Sequence, residues 1–427
     1  KEEGNTMHQQ GLAKMMEATR LVREGKLSEA TALLQGGPDQ QRAEPPRAWP
    51  AQADPARSSV PYSGVFPGGL RGSPSLESLL SRLPRSGRMP PFGSVAKPPS
   101  PELPGRWLEG SYANAAGKRD YRLYVPSGHR VGQPVPLLTM LHGGTQTADD
   151  FAAGTRMNEW AERHTFLVVY PEQSAAANPM RYWNWFQPAH QHRGTGEPSL
   201  LAGLTSHIST EYALDATRVY VAGFSAGAAM AAVLAACYAD VYAAVGVHSG
   251  LAHGVATDVP SAFHVMKHGA PSNGRGDAGT VPLIVFHGDG DPTVNLANAD
   301  CLVERRLRSG GKRSVGGQPQ RIQRQVPGGH QYTRAVFSDL QGTPLVEQWT
   351  IHGGGHAWSG GSPLGSYTDP LGPDASAELV RFFGQQVHAG VRKQRPHRRP
   401  SDRQGAQHRS SRSEERAALP SGEHPDA

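Results

Sequence analysis

Apolar residues in the middle of the chain fall in short continuous runs that alternate with longer amphipathic segments. The apolar runs predict strands near 121–125, 136–141, 166–170, 218–222, 243–247, 283–287 and 346–351. The segments between them predict helices near 155–164, 199–212, 225–238, 297–309 and 375–388. Such alternation predicts an α/β fold, with a mostly parallel sheet and helices on both faces. In such folds ligands bind at the carboxyl ends of the strands.

The two ends of the chain lack this alternation. Residues 1–37 contain two short amphipathic stretches, which predict a helical hairpin. Residues 38–105 are rich in Pro, Ser, Gly and Arg, and residues 391–427 are rich in arginine. Segments of this composition bury too little apolar surface to offset their chain entropy, so we expect a disordered linker and a disordered tail. The α/β region, residues 106–390, is the predicted folded domain.

Charge and composition exclude several functional classes. The formal net charge is +6, and the residues from Arg392 onward contribute nine Lys/Arg against five Asp/Glu, so the α/β region is close to neutral. A folded basic surface for nucleic acid is therefore not expected. No stretch is long and apolar enough to predict a membrane span, and no continuous apolar core predicts a signal peptide. The two cysteines provide no metal-ligand spacing, and no metal or cofactor is expected.

Residues 223–227 read Gly-Phe-Ser-Ala-Gly and lie between a β-branched strand and an alanine-rich helix. A serine at the tip of such a strand–turn–helix takes a strained conformation that presents its hydroxyl, and small flanking residues are needed for the tight turn. The pentapeptide alone is a weak signal. Its context predicts that Ser225 is the nucleophile of an acyl-transfer reaction.

Partners for this serine follow in the chain order serine, acid, histidine. The strand at 283–287 runs into Asp289 and Asp291, of which Asp291 is the predicted acid, whereas Asp289 is expected to bond turn amides. The last strand runs into a glycine-rich loop that contains His356, the predicted base. His352 lies at the strand end, where we expect a structural role.

A tetrahedral intermediate also needs donors for its negative charge. The amide of Ala226, directly after the serine, is one predicted donor. The other is the amide of Gly144, in the His-Gly-Gly-Thr turn that follows the strand at 136–141. The aromatic segment 182–186, which contains Trp183 and Trp185, predicts either an apolar wall for the substrate or packing beneath its loop. The same two readings hold for Trp358, which lies beside His356.

Taken together, these segments resemble the polyhydroxybutyrate (PHB) depolymerase family of esterases, over about residues 121–383. The resemblance is carried by residues 141–151 (LHGGTQTADDF), 182–186 (YWNWF), 223–230 (GFSAGAAM), 287–291 (HGDGD) and 353–358 (GGGHAW). It implies an α/β-hydrolase fold, the triad Ser225, Asp291 and His356, and hydrolysis of hydroxyalkanoate or related esters. It also implies an extracellular location, with a cytoplasmic location as the alternative because no signal peptide is predicted.

The chain departs from the family pattern in three places. The family often has cysteine at the positions of Gly144 and Tyr182, and a further glycine at the position of Ala228. The loss of both cysteines is self-consistent if they normally form a disulfide near the oxyanion loop, and it puts the rigidity of that loop in question.

The leading hypothesis is a cofactor-free serine esterase that acts on poly- or oligo-(3-hydroxybutyrate)-type esters. The alternative substrate is a carbohydrate-linked acyl ester, as in the related feruloyl and acetylxylan esterases. A second alternative is a binding module that keeps the fold without the chemistry. In that case the N-terminal helices would dock to a partner or a polymer granule.

Overall fold

The computed structural model describes residues 103–271, 279–309 and 316–388. The predicted hairpin (1–37), tail (391–427) and all but the last three residues of the predicted linker (38–105) therefore lie outside the described residues. No helix in the described part of the chain combines the length and the apolarity that crossing a bilayer requires.

Strands and helices alternate through the described chain. The strands are β1 (Arg106–Asn114), β2 (Gly117–Val125), β3 (Leu137–Leu141), β4 (Leu167–Pro171), β5 (Val219–Phe224), β6 (Ala244–His248), β7 (Leu283–Gly288), β8 (Gln320–Gln325), β9 (Gln331–Ser338), β10 (Pro344–Ile351), β11 (Trp358–Ser359) and β12 (Thr368–Asp369). The helices are α1 (Ala148–Thr155), α2 (Met157–His164), α3 (Gly196–Glu211), α4 (Ala226–Cys237), α5 (Val259–His268), α6 (Ala297–Arg308) and α7 (Ala375–Phe383).

Within the described ranges, ten strands form one sheet in the order β1-β2-β4-β3-β5-β6-β7-β10-β9-β8. The six strands from β4 to β10 are parallel, and antiparallel strands extend the sheet at both edges. The parallel part of the sheet begins with β3. The chain next forms β4 on one side of β3 and then β5 on the other side. The carboxyl ends of β3 and β5 therefore form a topological switch point, where α/β sheets bind their ligands.

The central strands are buried on both faces because successive side chains point to opposite sides. In β5, Val219 and Val221 join one core with α3, α4 and α6, whereas Tyr220 and Ala222 join the other core with α1, α2 and α7. A strand that is buried on both faces has a continuous run of apolar residues, which is the pattern that the sequence shows. The prediction of an α/β-hydrolase-like, mostly parallel sheet with helices on both faces is confirmed.

Several elements differ from the sequence prediction. The helix predicted over 155–164 corresponds to α2, which begins at Met157 because Arg156 takes a left-handed conformation (φ 54°) that separates it from α1. The helix predicted to reach residue 388 ends at Phe383. Strands β1, β8, β9, β11 and β12 and helices α1 and α5 were not predicted. All six residues of β8 are exposed, so its sequence carries no apolar alternation.

One buried carboxylate holds three segments of this fold together. Glu197, in the first turn of α3, is only 1% exposed and pairs with Arg119 of β2 at 3.0 Å. Its oxygens also accept the backbone and side-chain amides of Asn184, at 2.7 and 2.8 Å, and the side-chain amide of Gln173. The aromatic segment 182–186 is thereby fixed to the sheet and to α3.

We expect Glu197→Ala to lower the free energy of unfolding by about 3–5 kcal/mol, because it leaves the Arg119 charge and the Asn184 amides buried without their acceptor. Denaturant unfolding followed by circular dichroism measures this change. Glu211→Ala, at the exposed end of α3, is the matched control and should change the free energy by no more than about 0.5 kcal/mol. Equal, small changes in the two variants would contradict the role given to Glu197.

Candidate active site

Ser225 occupies the tip of a sharp turn between β5 and α4. Its backbone is in a sparsely populated region (φ 53°, ψ −118°), and its N–H donates to the carbonyl of His248 at 2.9 Å. A side chain at Gly227 would overlap the carbonyl oxygen of Leu141, and one at Gly223 would lie 2.5 Å from the backbone of Gly227. Only glycine fits at either flank, because Gly227 is packed against the end of β3 and Gly223 against the first residues of α4.

The structure brings Ser225, His356 and Asp291 into one hydrogen-bonded line. The Nε2 of His356 lies 3.0 Å from the Ser225 Oγ, and its Nδ1 lies 2.7 Å from the Asp291 Oδ2. An ionised carboxylate only accepts, so Nδ1 carries the proton and donates it to Asp291. The Nε2 lone pair is then directed at the hydroxyl of Ser225. This geometry is what a serine nucleophile with a histidine base requires.

Burial would by itself raise the pKa of Asp291, but the hydrogen bond and charge of His356 outweigh it and hold that pKa below its usual value. The Val294 N–H also donates to Asp291, and the imidazole of His287 lies 3.6 Å away on the buried side. Asp291 therefore stays ionised down to lower pH than an ordinary aspartate.

The loops that carry Asp291 and His356 are clamped to each other. Asp289 accepts the N–H of Gly353 at 2.7 Å and lies 2.8 Å from the Nδ1 of His352. The Nε2 of His352 in turn lies 2.8 Å from the hydroxyl of Thr333 on β9. The structural roles expected for Asp289 and His352 agree with this arrangement, although the amide that Asp289 binds belongs to the neighbouring loop.

Two further histidines close to the site are buried and neutral. Burial lowers the pKa of His142 to about 4, and its Nε2 accepts the Gln173 N–H while Nδ1 donates to the carbonyl of Gly143. Burial also lowers the pKa of His248 well below its usual value, and its Nε2 accepts the Ser359 N–H. Both rings thus act as fixed hydrogen-bonding spacers at the carboxyl ends of β3 and β6.

The two predicted oxyanion donors follow the neighbouring strands β3 and β5 at the switch point. Gly144 is in the turn 143–146, which we call the donor turn, and Ala226 begins α4. In the described ranges neither backbone N–H has a hydrogen-bond acceptor. The donor turn is closed from inside by Gln146, whose side-chain oxygen accepts the Gly143 N–H at 2.9 Å. The ring of Tyr182 lies against Gly144, where any side chain at that position would overlap it.

The prediction that Trp183, Trp185 and Trp358 line a substrate wall is corrected by their burial. They are 0%, 4% and 1% exposed. The indole N–H of Trp183 donates to the His142 carbonyl, and that of Trp358 donates to the Ser376 hydroxyl. These rings pack beneath their loops, which is the alternative that the sequence left open.

Sequence reasoning missed several residues that shape the site. Gln146 closes the donor turn, His287 contacts Asp291, and the exposed Tyr367 binds Thr145 at 3.1 Å. Their positions at or shortly after the carboxyl ends of β7 and β3 were a usable signal for His287 and Gln146, but no sequence signal places Tyr367 there. In the described ranges, no group of three or more His, Cys, Asp or Glu residues is arranged to hold a metal ion.

Comparison with known proteins agrees with this geometry. The family model described as esterase PHB depolymerase matches residues 119–321. Poly(3-hydroxyalkanoate) depolymerase C from Paucimonas lemoignei is 34% identical over 292 residues, which cover 61% of this chain and 66% of that protein. Feruloyl esterase B from Neurospora crassa is 32% identical over 106 residues, or 25% of this chain and 35% of that one. Acetylxylan esterase A from Emericella nidulans is 31% identical over 107 residues, or 25% and 34%.

The strand order, the turn after β5 and the histidine loop after β10 define an α/β-hydrolase. Within this class the chain is similar to the PHB depolymerase family of esterases, whose model matches just under half of its length. The chain spans just under two thirds of the length of the depolymerase, and about a third of the length of the feruloyl and acetylxylan esterases.

We expect Gly227→Ala to lower the rate of ester hydrolysis by about 100-fold, because the added methyl group must displace the Leu141 carbonyl and move Ser225. A displacement of about 1 Å costs on the order of 100-fold in rate. Steady-state hydrolysis of p-nitrophenyl butyrate measures the loss. Gly355→Ala is the matched control, since its methyl group meets nothing within 4 Å although it lies beside His356. Similar losses in both variants would contradict the steric explanation.

Proposed function

We propose that the protein is a serine esterase in which Ser225 is the nucleophile, His356 the general base and Asp291 the residue that orients His356. The observation that carries this proposal is the unbroken line of hydrogen bonds from Asp291 through His356 to Ser225. It supports the assignment because the three side chains come from loops after three different strands and meet only through the fold.

The proposed reaction has two halves. His356 Nε2 takes the Ser225 proton as Oγ attacks the ester carbonyl, and the amides of Gly144 and Ala226 donate to the resulting oxyanion. The intermediate collapses, the C–O bond to the alcohol breaks, and His356 returns the proton to the leaving alcohol. A water molecule then attacks the acyl-enzyme with His356 again as base, which releases the acid and restores the Ser225 hydroxyl.

Poly- or oligo-(3-hydroxybutyrate)-type esters are the proposed substrates. Support comes from the family model over residues 119–321 and from the similarity to a poly(3-hydroxyalkanoate) depolymerase. An extracellular location belongs to the same proposal, because the resemblance to that family implies it. Detection of the protein in the medium rather than in the cell lysate tests that location.

Carbohydrate-linked feruloyl or acetyl esters are the second candidate substrates. The similarity to feruloyl esterase B and acetylxylan esterase A favours them, although each match covers a quarter of this chain. The same site chemistry serves both substrate classes, because both place an ester carbonyl over Ser225. The acyl and alcohol groups that bind beside it distinguish the two.

We expect Ser225→Ala to lower kcat for p-nitrophenyl butyrate by about 10⁴-fold or more, because the variant lacks the hydroxyl from which His356 takes the proton. A fluorophosphonate probe should label the wild-type protein at Ser225 and leave Ser225→Ala unlabelled. A panel of a hydroxybutyrate trimer, a feruloylated sugar and an acetylated xylo-oligosaccharide then identifies the substrate class. A folded wild-type protein that the probe does not label would favour a binding module instead.

We expect Asp291→Asn to lower kcat by about 10⁴-fold, because the amide no longer fixes the His356 tautomer whose Nε2 accepts the serine proton. Asp289→Asn is the matched control. It weakens the clamp between the two loops but leaves the line to Ser225 intact, so kcat should fall by no more than about tenfold. A larger loss in Asp289→Asn than in Asp291→Asn would reassign the acid.

A further inference from the structure

The donor turn contains a strained residue next to the proposed oxyanion donor. Thr145 follows Gly144 directly and has φ 66°, a conformation that β-branched residues rarely adopt. Its N–H donates to the Met180 carbonyl at 2.7 Å. Such a conformation persists only where the surroundings hold it. The contacts of Thr145 therefore decide how firmly the Gly144 N–H is aimed.

The side chain of Thr145 is held from the other side of the cleft by Tyr367. The Tyr367 hydroxyl lies 3.1 Å from the Thr145 Oγ1, and the two residues are 222 positions apart in the sequence. The Tyr367 ring is 43% exposed, and its centroid lies 6.3 Å from that of Phe224, the residue before Ser225. Tyr367 thus spans from the His356 side of the site to the donor turn.

The loop that carries Tyr367 is itself anchored, so its hydroxyl can act as a fixed point. The Tyr367 carbonyl accepts the Trp358 N–H at 2.7 Å, and β12 pairs with β11 immediately beyond it. On the other side, the Ser366 N–H donates to Asp150 at 3.0 Å, and the Ser366 carbonyl accepts from Gln146 at 3.1 Å. Tyr367 also has a left-handed backbone, with φ 52°.

We propose that Tyr367 is a positioning residue that fixes the donor turn through its hydrogen bond to Thr145 and so aims the Gly144 amide at the oxyanion. The inference rests on the proposed serine esterase function and deepens it. The donor amide matters most when negative charge develops on the substrate oxygen. Loss of the hydroxyl therefore lowers kcat and leaves KM nearly unchanged.

The test is a double-mutant cycle on p-nitrophenyl butyrate with Tyr367→Phe, Thr145→Val and the double variant. Each single variant keeps the shape of its side chain and removes one partner of the same hydrogen bond. We expect each to lower kcat by about 3- to 10-fold with KM within twofold, and the double variant to be no slower than the slower single variant. Melting temperatures should stay within about 2 °C, since the bond is partly exposed.

Tyr212→Phe is the matched control, because it removes a tyrosine hydroxyl at the end of α3, shortly before the amino end of β5. Its kcat should be unchanged. Unchanged kcat in Tyr367→Phe, additive losses in the cycle, or an equal loss in Tyr212→Phe would overturn the positioning role. Wild-type kinetic constants in Tyr367→Phe together with a raised KM in Tyr367→Ala would also overturn it, because the ring would then be a substrate contact. A wild-type protein that hydrolyses no ester would overturn the proposed function and this inference together, whereas Ser225-dependent turnover with a silent Tyr367→Phe would overturn the inference alone.

Discussion

The site depends on one close approach, that of the Gly227 backbone to the carbonyl oxygens of Leu141 and His142. This contact joins the start of α4 to the end of β3, two elements that are separated by more than 80 residues of chain. It places the serine turn and the donor turn side by side at the switch point of the sheet. Strain at Ser225 is maintained because the strands on either side are fully buried and leave the backbone no room to relax.

The remaining parts of the site are positioned by hydrogen bonds between loops and, in the donor turn, within one. Asp289 and His352 hold the acid loop to the histidine loop, and Gln146 closes the donor turn from beneath. The neutral rings of His142 and His248 occupy the strand ends without adding charge, because burial suppresses their protonation. The buried Asp291 is therefore the principal ionised group behind His356.

Much of the fold followed from the sequence because buried parallel strands have a distinct pattern, as the apolar run of β7 illustrates. The line of Ser225, Asp291 and His356 could be anticipated because parallel strands end at the same edge of the sheet. Other features carry no local signal. The six exposed residues of β8 have the composition of a loop. The left-handed backbone of Arg156 and Tyr367 could not be predicted from the sequence, because glycine is the residue that usually marks this conformation. The aromatic segment was ambiguous since the carboxylate that buries it, Glu197, lies on another element.

The contact between Gly144 and the Tyr182 ring has a consequence for the environments in which the protein can work. At these two positions the family resemblance implies a covalent sulfur bridge, but here the Tyr182 ring packs against Gly144, and the same pair of segments is joined by the hydrogen bond from the Thr145 N–H to the Met180 carbonyl at 2.7 Å. The two cysteines of the chain, at positions 237 and 301, lie on α4 and α6 rather than in either of these segments. The geometry around the proposed donor amide is accordingly independent of the thiol–disulfide balance of its surroundings, and a reductant leaves this part of the molecule unchanged.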